Sequence, residues 1–264
     1  MPLELIKKGS LEYLTALNLK IPHAFLTRLG GVSEGAFSTL NIAMHRGDSD
    51  ENVAKNYAIL ADALNFDPND LVLTRQTHSD IVRAVKKTDA CGLDHHAYPE
   101  CDALITNDRG CTLVVFTADC TPILLWDSVN GAVGAAHAGW RGTAADIVGK
   151  TVRAMVKEFG CRAENIRAAI GPNIGACCFE TDRDVPDAII AEFGAEAEAF
   201  IRKTGEKYQV DLKAVNALAL RRAGVGNIEI SGDCTMCQPD RFWSHRLTGT
   251  LRGSQGAVIV CQLR

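Results

Sequence analysis

Apolar positions along the chain switch repeatedly between a spacing of two and one of about 3.6. Behind Asp48 and Ser49, the residues Val53, Tyr57, Leu60 and Leu64 recur at helical intervals, and Asp48 with Glu51 has the spacing of a capping box. That pattern predicts a capped amphipathic helix. A second helix is predicted over 143–159, with Ile147, Val148, Thr151, Val152, Met155 and Phe159 on its buried face and Gly160 as its stop. Two more are predicted over 185–193, where Pro186 suits a first turn, and over 211–223, ending at Gly224. Strand-type runs fall at 71–74, 81–85, 102–106, 112–117, 123–126, 132–136, 166–170, 228–231 and 258–261. Strands outnumber helices and often follow one another directly, so a regular βαβ alternation fails and an α+β class with mixed layers fits. No Pro/Ser-rich linker, charge block or long internal repeat marks a boundary, so 1–264 is expected to be a single catalytic domain.

Composition narrows the function classes. Lys and Arg number 28 against 32 Asp and Glu, giving a net charge of −4, which disfavours a sequence-independent grip on nucleic acid. With 47% apolar and 23% charged residues the chain has the balance of a folded globular protein. No apolar run approaches the roughly 18 residues of a membrane helix, so no membrane partner is expected. The stretch from Met1 has no apolar segment behind a basic one, which predicts a cytoplasmic protein with its 10 cysteines reduced. Most of those thiols are expected to pack as small apolar groups.

Three metal-capable side chains each stand just beyond a strand-like run: His78, Cys120 and His137. If those strands share a sheet, the side chains meet at one edge, where loops on a rigid scaffold place catalytic groups. Two imidazoles and a thiolate leave an open fourth position, as in catalytic zinc sites, where a water's pKa falls to near 7. The same residues admit a Cys120 nucleophile with His137 as base and Asp119 or Asp102 as orienter. They also match part of a blue-copper site, with Met44 or Met236 as the weak axial ligand. A multicopper cluster fits poorly, since the chain has 7 His and no His-x-His.

Other signals have plainer readings. Cys234-Thr-Met-Cys237 lacks the second pair of a zinc ribbon and reads as a turn with packed thiols. Cys177 and Cys178 point apart if their segment is extended, which argues against a shared metal. His95 and His96 are expected at the surface, and Arg46-Gly47-Asp48 as a loop into the helix cap. Arg28-Leu29-Gly30-Gly31-Val32-Ser33-Glu34-Gly35 has the glycines of an anion-binding loop but no phosphate-loop fingerprint, and Gly171-Pro172-Asn173-Ile174-Gly175 reads as a tight turn.

A set of ordered motifs carries a resemblance. They are Thr27-Arg28…Gly30-Gly31-Val32-Ser33, Leu40-Asn41, His45…Gly47-Asp48, Gln76-Thr77-His78, Thr117-Ala118-Asp119-Cys120-Thr121-Pro122, His137-Ala138-Gly139-Trp140-Arg141-Gly142, and Gly171-Pro172…Cys177-Cys178-Phe179-Glu180. Together they resemble the purine nucleoside phosphorylase family formerly labelled polyphenol oxidase or laccase-domain proteins, over about residues 27 to 252. Thr181, and the loosely matched stretch 247–253, depart from its pattern.

The resemblance implies a layered α/β/β/α fold and a cytoplasmic enzyme that cleaves adenosine and inosine with phosphate, accepts methylthioadenosine, and deaminates adenosine. It puts the metal on His78, Cys120 and His137, with zinc expected and copper possible as the support for phenol oxidation. Under this reading Asp119 shuttles protons during deamination. Arg28, with its glycine loop, and Arg141 are candidates to hold phosphate. Asn41 and Gln76 are candidates for ribose or base, and His45 for either role. Cys177 and Glu180 would back up the metal or simply pack. The alternatives are a copper-dependent polyphenol oxidase and a cysteine-nucleophile hydrolase using Cys120 and His137.

Overall fold

The computed structural model describes residues 3–94 and 100–262; His95 and His96 lie outside them. One sheet has the order β1-β2-β3-β15-β7-β4, from Glu4–Lys8, Leu11–Thr15, His23–Leu26, Gln255–Val260, Thr112–Thr117 and Leu71–Val72. The second has the order β14-β10-β8-β9-β6-β5, from Asn227–Ile230, Ile166–Ile170, Thr121–Asp127, Ala132–Ala138, Ala103–Thr106 and Val82–Ala84. A small third sheet joins β11 (Glu180–Thr181), β13 (Lys207–Val210) and β12 (Ile201–Thr204).

The two large sheets lie face to face. Leu113 and Val115 of β7, Ala257 and Ile259 of β15, and Leu104, Leu124 and Ala135 of the second sheet form the core between them. The alternate residues Val114 and Val258 face outward and pack on Val53, Tyr57 and Leu60 of α1 (Asp50–Leu64). On the other flank, Ile105, Ile123 and Leu125 pack against four helices: α2 (Trp140–Ala144), α3 (Ile147–Phe159), α4 (Asp184–Phe193) and α5 (Leu212–Arg222). This is the expected α+β class in α/β/β/α layers. Both faces of β8 and β9 are covered and every residue of the two strands is buried, which is why their runs 123–126 and 132–136 do not alternate with polar residues. Among the described residues no helix is long and apolar enough to cross a membrane.

Several local expectations change. The helix expected over 143–159 is broken: Asp146 sits in the left-handed region at φ 55° and its carboxylate caps α3 by accepting from Gly149 N at 3.1 Å. Asp48 does not cap α1. Its carboxylate instead accepts from Ser33 Oγ and Asn41 Nδ2, tying the glycine-rich loop to the helix start, and Ser49 takes the cap position. The N-terminal strands β1–β3, the small sheet and the short α6 (His245–Thr248) were not marked by the apolar pattern.

Candidate metal centre and cavity

The strands that precede the three predicted ligands do not share a sheet. β4 and β7 are parallel neighbours in the first sheet, so both end at the same edge. From there each chain crosses to the second sheet, and His78 and Cys120 lie on those two crossovers. β9 arrives at the same edge from the second sheet and runs to Ala138, so His137 belongs to the strand rather than following it. Its register partner is Pro122, two residues after Cys120. Parallel pairing of β4 with β7 in the first sheet and antiparallel pairing of β8 with β9 in the second thus gather residues separated by up to 59 positions in sequence.

The ligand atoms of His78, Cys120 and His137 all lie within 4.8 Å of one another. Cys120 Sγ is 3.8 Å from His78 Nε2, and the two imidazoles meet edge to face at 5.0 Å between centroids. Zinc bonds of about 2.3 Å to sulfur and about 2.0 Å to nitrogen, at a tetrahedral angle, place such atoms about 3.5 Å apart, so the donor set fits that ion.

Asp102 organises this set. It is fully buried, and its carboxylate accepts from His137 Nδ1 at 2.7 Å, from the backbone N–H groups of Thr77, His78 and Ser79, and from Ser79 Oγ. With Nδ1 donating to Asp102, Nε2 of His137 is the free ligand atom, the usual carboxylate–histidine–metal relation. Burial works against the Asp102 charge, but the bonds from His137 and Ser79 outweigh it and hold the carboxyl down at about 2. The same contacts fix His78, a non-glycine residue at φ 59°. Burial opposes charge on Cys120 and His137 too. Each overrides that penalty in the other, so the thiol is pulled down and the imidazole pushed up. Gly139 has a steric reason: a Cβ there would lie 2.7 Å from His78 Cδ2 and 3.3 Å from Cys120 Sγ.

The three ligands open into a cavity of about 510 Å³, within the range of small-molecule sites. Phe116, Phe179, Met44 and Ile174 line it with apolar surface, and Arg46, Arg75, His245, Arg246 and Arg252 with basic groups. Arg75 is paired with Glu100 at 2.6 Å. No ion pair engages Arg46 or Arg252 among the described residues, and the buried Nε of Arg252 has no acceptor. Burial lowers the Arg252 guanidinium below its ordinary value, Asp119 opposes this, and Arg46 adds to it.

The remaining predicted residues are placed as follows. Asp119 lines the cavity, but its carboxylate already accepts from Thr235 Oγ1, Ser244 Oγ and Arg246 N, anchoring two C-terminal loops. Gln76 also lines it, with its amide spent on both backbone groups of Phe116. Arg28 does not line it. Its guanidinium donates to Ser38 O and Pro239 O and stacks on Trp243 at 3.8 Å. The N–H groups of its glycine loop bond to Thr39 Oγ1 and Asn56 Oδ1, leaving no anion cradle there. Asn41 is buried and holds Ala43 and Ser254, whereas His45 is exposed and paired with Asp50 at 2.9 Å. Arg141 is exposed over the Trp140 ring, outside the cavity. Met44 lines the cavity, and Met236 packs instead in the helix-side core. Glu180 is exposed, and its carbonyl accepts from the Arg246 guanidinium. Sequence reasoning missed Arg46 and Arg252, which come from loops, and Arg246 of α6; they are remote from the ligands in sequence and carry no motif spacing.

A His–Cys–His set at one end of an α/β/β/α sandwich, facing a basic and aromatic cavity, defines a class of small-molecule enzyme. The chain belongs to the family described as multi-copper polyphenol oxidoreductase laccase, which matches residues 22–262. It is 40% identical over 252 residues, covering 94% of this chain and 92% of the relative, to a purine nucleoside phosphorylase of Deinococcus radiodurans. It is 37% identical over 240 residues, covering 87% and 90%, to adenosine deaminase RL5 from an unknown prokaryotic organism. Its fold matches the crystal structure of YlmD from Geobacillus stearothermophilus with a TM-score of 0.92 at 33% identity, covering 99% of this chain and 100% of that one.

Proposed function

We propose that this chain is a zinc-dependent purine nucleoside phosphorylase that cleaves adenosine, inosine and methylthioadenosine with phosphate and also deaminates adenosine. The observation that carries the reading is a single cavity that combines the His78–Cys120–His137 set with Arg46 and Arg252, two cations without an ion-pair partner among the described residues. The relatives' names support the substrate class.

His78, Cys120 and His137 would hold zinc, which supplies a Lewis acid at the cavity wall when bound. Arg252 and Arg46 bind the phosphate dianion, and Arg252, whose Nε lacks an acceptor, gains most from it. Phe116, Phe179 and Met44 give the purine apolar faces and exclude water. A phosphate oxygen forms the bond to C1′ as the bond to the purine nitrogen breaks, and the base leaves with that electron pair and takes up a proton. Asp119, engaged by three donors, positions Cys120 and the C-terminal loops rather than moving that proton.

One observation favours a second reading. Cys120, His137 and Asp102 form a relay in which the thiol is lowered and the imidazole raised, as in a cysteine nucleophile with its base. Chelation separates the two: a zinc enzyme loses turnover on metal removal and regains it with zinc, whereas a cysteine hydrolase ignores chelators and dies on alkylation. Turnover that survives chelation would overturn the zinc reading.

A further inference from the structure

Four other thiols meet away from the cavity ligands. Cys177 and Cys178 follow β10, and Cys234 and Cys237 follow β14. Those two strands are parallel neighbours, with Ile170 opposite Ile230, so both chains leave the sheet side by side at one edge. The expectation that Cys177 and Cys178 point apart fails because their segment is not extended. Gly175 O accepts from both Cys178 N and Phe179 N at 2.9 Å, and this turn swings both thiols toward Cys237. Thr235 N donates to Asn173 O at 2.9 Å, which fixes the second loop against the first. The second pair that a C-x-x-C motif needs is thus the adjacent pair about 60 residues upstream, invisible to local spacing.

The geometry is that of a tetrathiolate. The four Sγ atoms lie within 4.8 Å of one another, with Cys177 to Cys237 at 3.6 Å and Cys178 to Cys237 at 3.4 Å. Zinc–sulfur bonds of about 2.3 Å at the tetrahedral angle put sulfurs about 3.8 Å apart. A disulfide would need about 2.05 Å. Sulfurs arranged around an iron–sulfur cluster must span more than one metal and so stand farther apart. Donors for the excess negative charge of four thiolates are in place. Gly175 N donates to Cys234 Sγ at 3.1 Å, and the buried Lys213, held by Asp233 O at 2.7 Å, is the cation facing Cys234 and Cys177. Gly175 itself is needed close by, since a Cβ would sit 3.2 Å from Cys234 Cβ and 3.3 Å from Cys177 Sγ.

We propose that Cys177, Cys178, Cys234 and Cys237 form a second metal centre, a closed structural site for one zinc ion, independent of the His78–Cys120–His137 set. All four positions of the ion are filled by protein, so this centre does no chemistry on a substrate. Binding displaces the thiol protons to solvent. What it holds is the cavity wall: the first loop carries Ile174 and Phe179 into the cavity, and the second carries Thr235, whose hydroxyl bonds to Asp119 beside Cys120.

The test is the zinc content of the reduced, purified protein, measured by elemental mass spectrometry together with X-ray absorption. Wild type is expected to hold about two ions per chain, and the His78→Ala/His137→Ala protein about one, surrounded by four sulfurs at about 2.3 Å. Cys178→Ser/Cys237→Ser is expected to lose that ion and keep the other. Should the cysteine variant fail to fold, the absorption spectrum of the histidine variant still decides. A folded histidine variant without zinc, or with zinc in a nitrogen-containing shell, overturns the proposal. So does a disulfide among these four cysteines in protein purified under reduction.

Discussion

His137 and Asp102 are joined twice: His137 N donates to the Asp102 carbonyl and His137 Nδ1 to its carboxylate, both at 2.7 Å. The pairing makes the imidazole's tautomer a property of the sheet register, because Asp102 directly precedes β6, in which Ala103 pairs with Ala136 of β9. It also couples the two histidines, since the same carboxylate collects the backbone of Thr77, His78 and Ser79.

Replacing Asp102 with Asn keeps the volume but removes the charge that orients His137. Zinc affinity is expected to fall about 10- to 100-fold, read by competition with a chromogenic chelator. An unchanged affinity would show that the imidazole is held by packing alone.

Gly139→Ala tests the crowding at the ligands. The new methyl would press on His78 Cδ2 from 2.7 Å, so turnover is expected to drop by about 10²-fold, the cost of a displacement near 1 Å. The melting temperature should change little. Full activity in this variant would contradict the assignment of His78.

Arg252 and Arg28 give opposite expectations. Arg252→Gln removes the cation proposed for phosphate and should raise the KM for phosphate by about 10-fold or more, the value of a charged hydrogen bond. Arg28→Gln should leave that KM unchanged while costing about 1–3 kcal/mol of stability, because it loses the bonds to Ser38 O and Pro239 O and the Trp243 contact. Phosphate titrations of both, beside their melting curves, check the pair.

His23 gives a pH expectation far from the metal. Its Nε2 accepts from Ala16 N and its Nδ1 donates to Ile21 O, both at 2.8 Å, and burial holds it below its ordinary 6.5, with the Ile21 bond opposing. The folded state therefore binds this proton less readily than the unfolded one. Its stabilising effect is complete above pH 6.5 and is lost as pH falls below that value. Denaturant unfolding between pH 8 and 5 should show a decline that His23→Gln flattens.

Helices α1 and α4 were legible because each has one apolar face at a regular period, and α5, buried nearly all round, because its apolar run stops at Gly224. The ligand trio was legible because His78, Cys120 and His137 each stand next to an apolar run and one ordered motif. β1 escaped notice because four of its five residues are exposed, and β3 because it is short and pairs with β15, more than 200 residues away. Arg252 and Arg46 acquire meaning only through their place in the cavity lining and the lack of an ion-pair partner among the described residues, which no spacing encodes. The adjacent cysteines were misread because the hydrogen bonds to Gly175 O, not the residue types, set their direction.

The most direct test is chromatographic: zinc-loaded protein is incubated with adenosine, with and without phosphate, beside a His137→Ala control. The account predicts free adenine and ribose 1-phosphate only when phosphate is present, and none from the control. If adenosine, inosine and methylthioadenosine all stay intact with phosphate and zinc supplied, the account is contradicted.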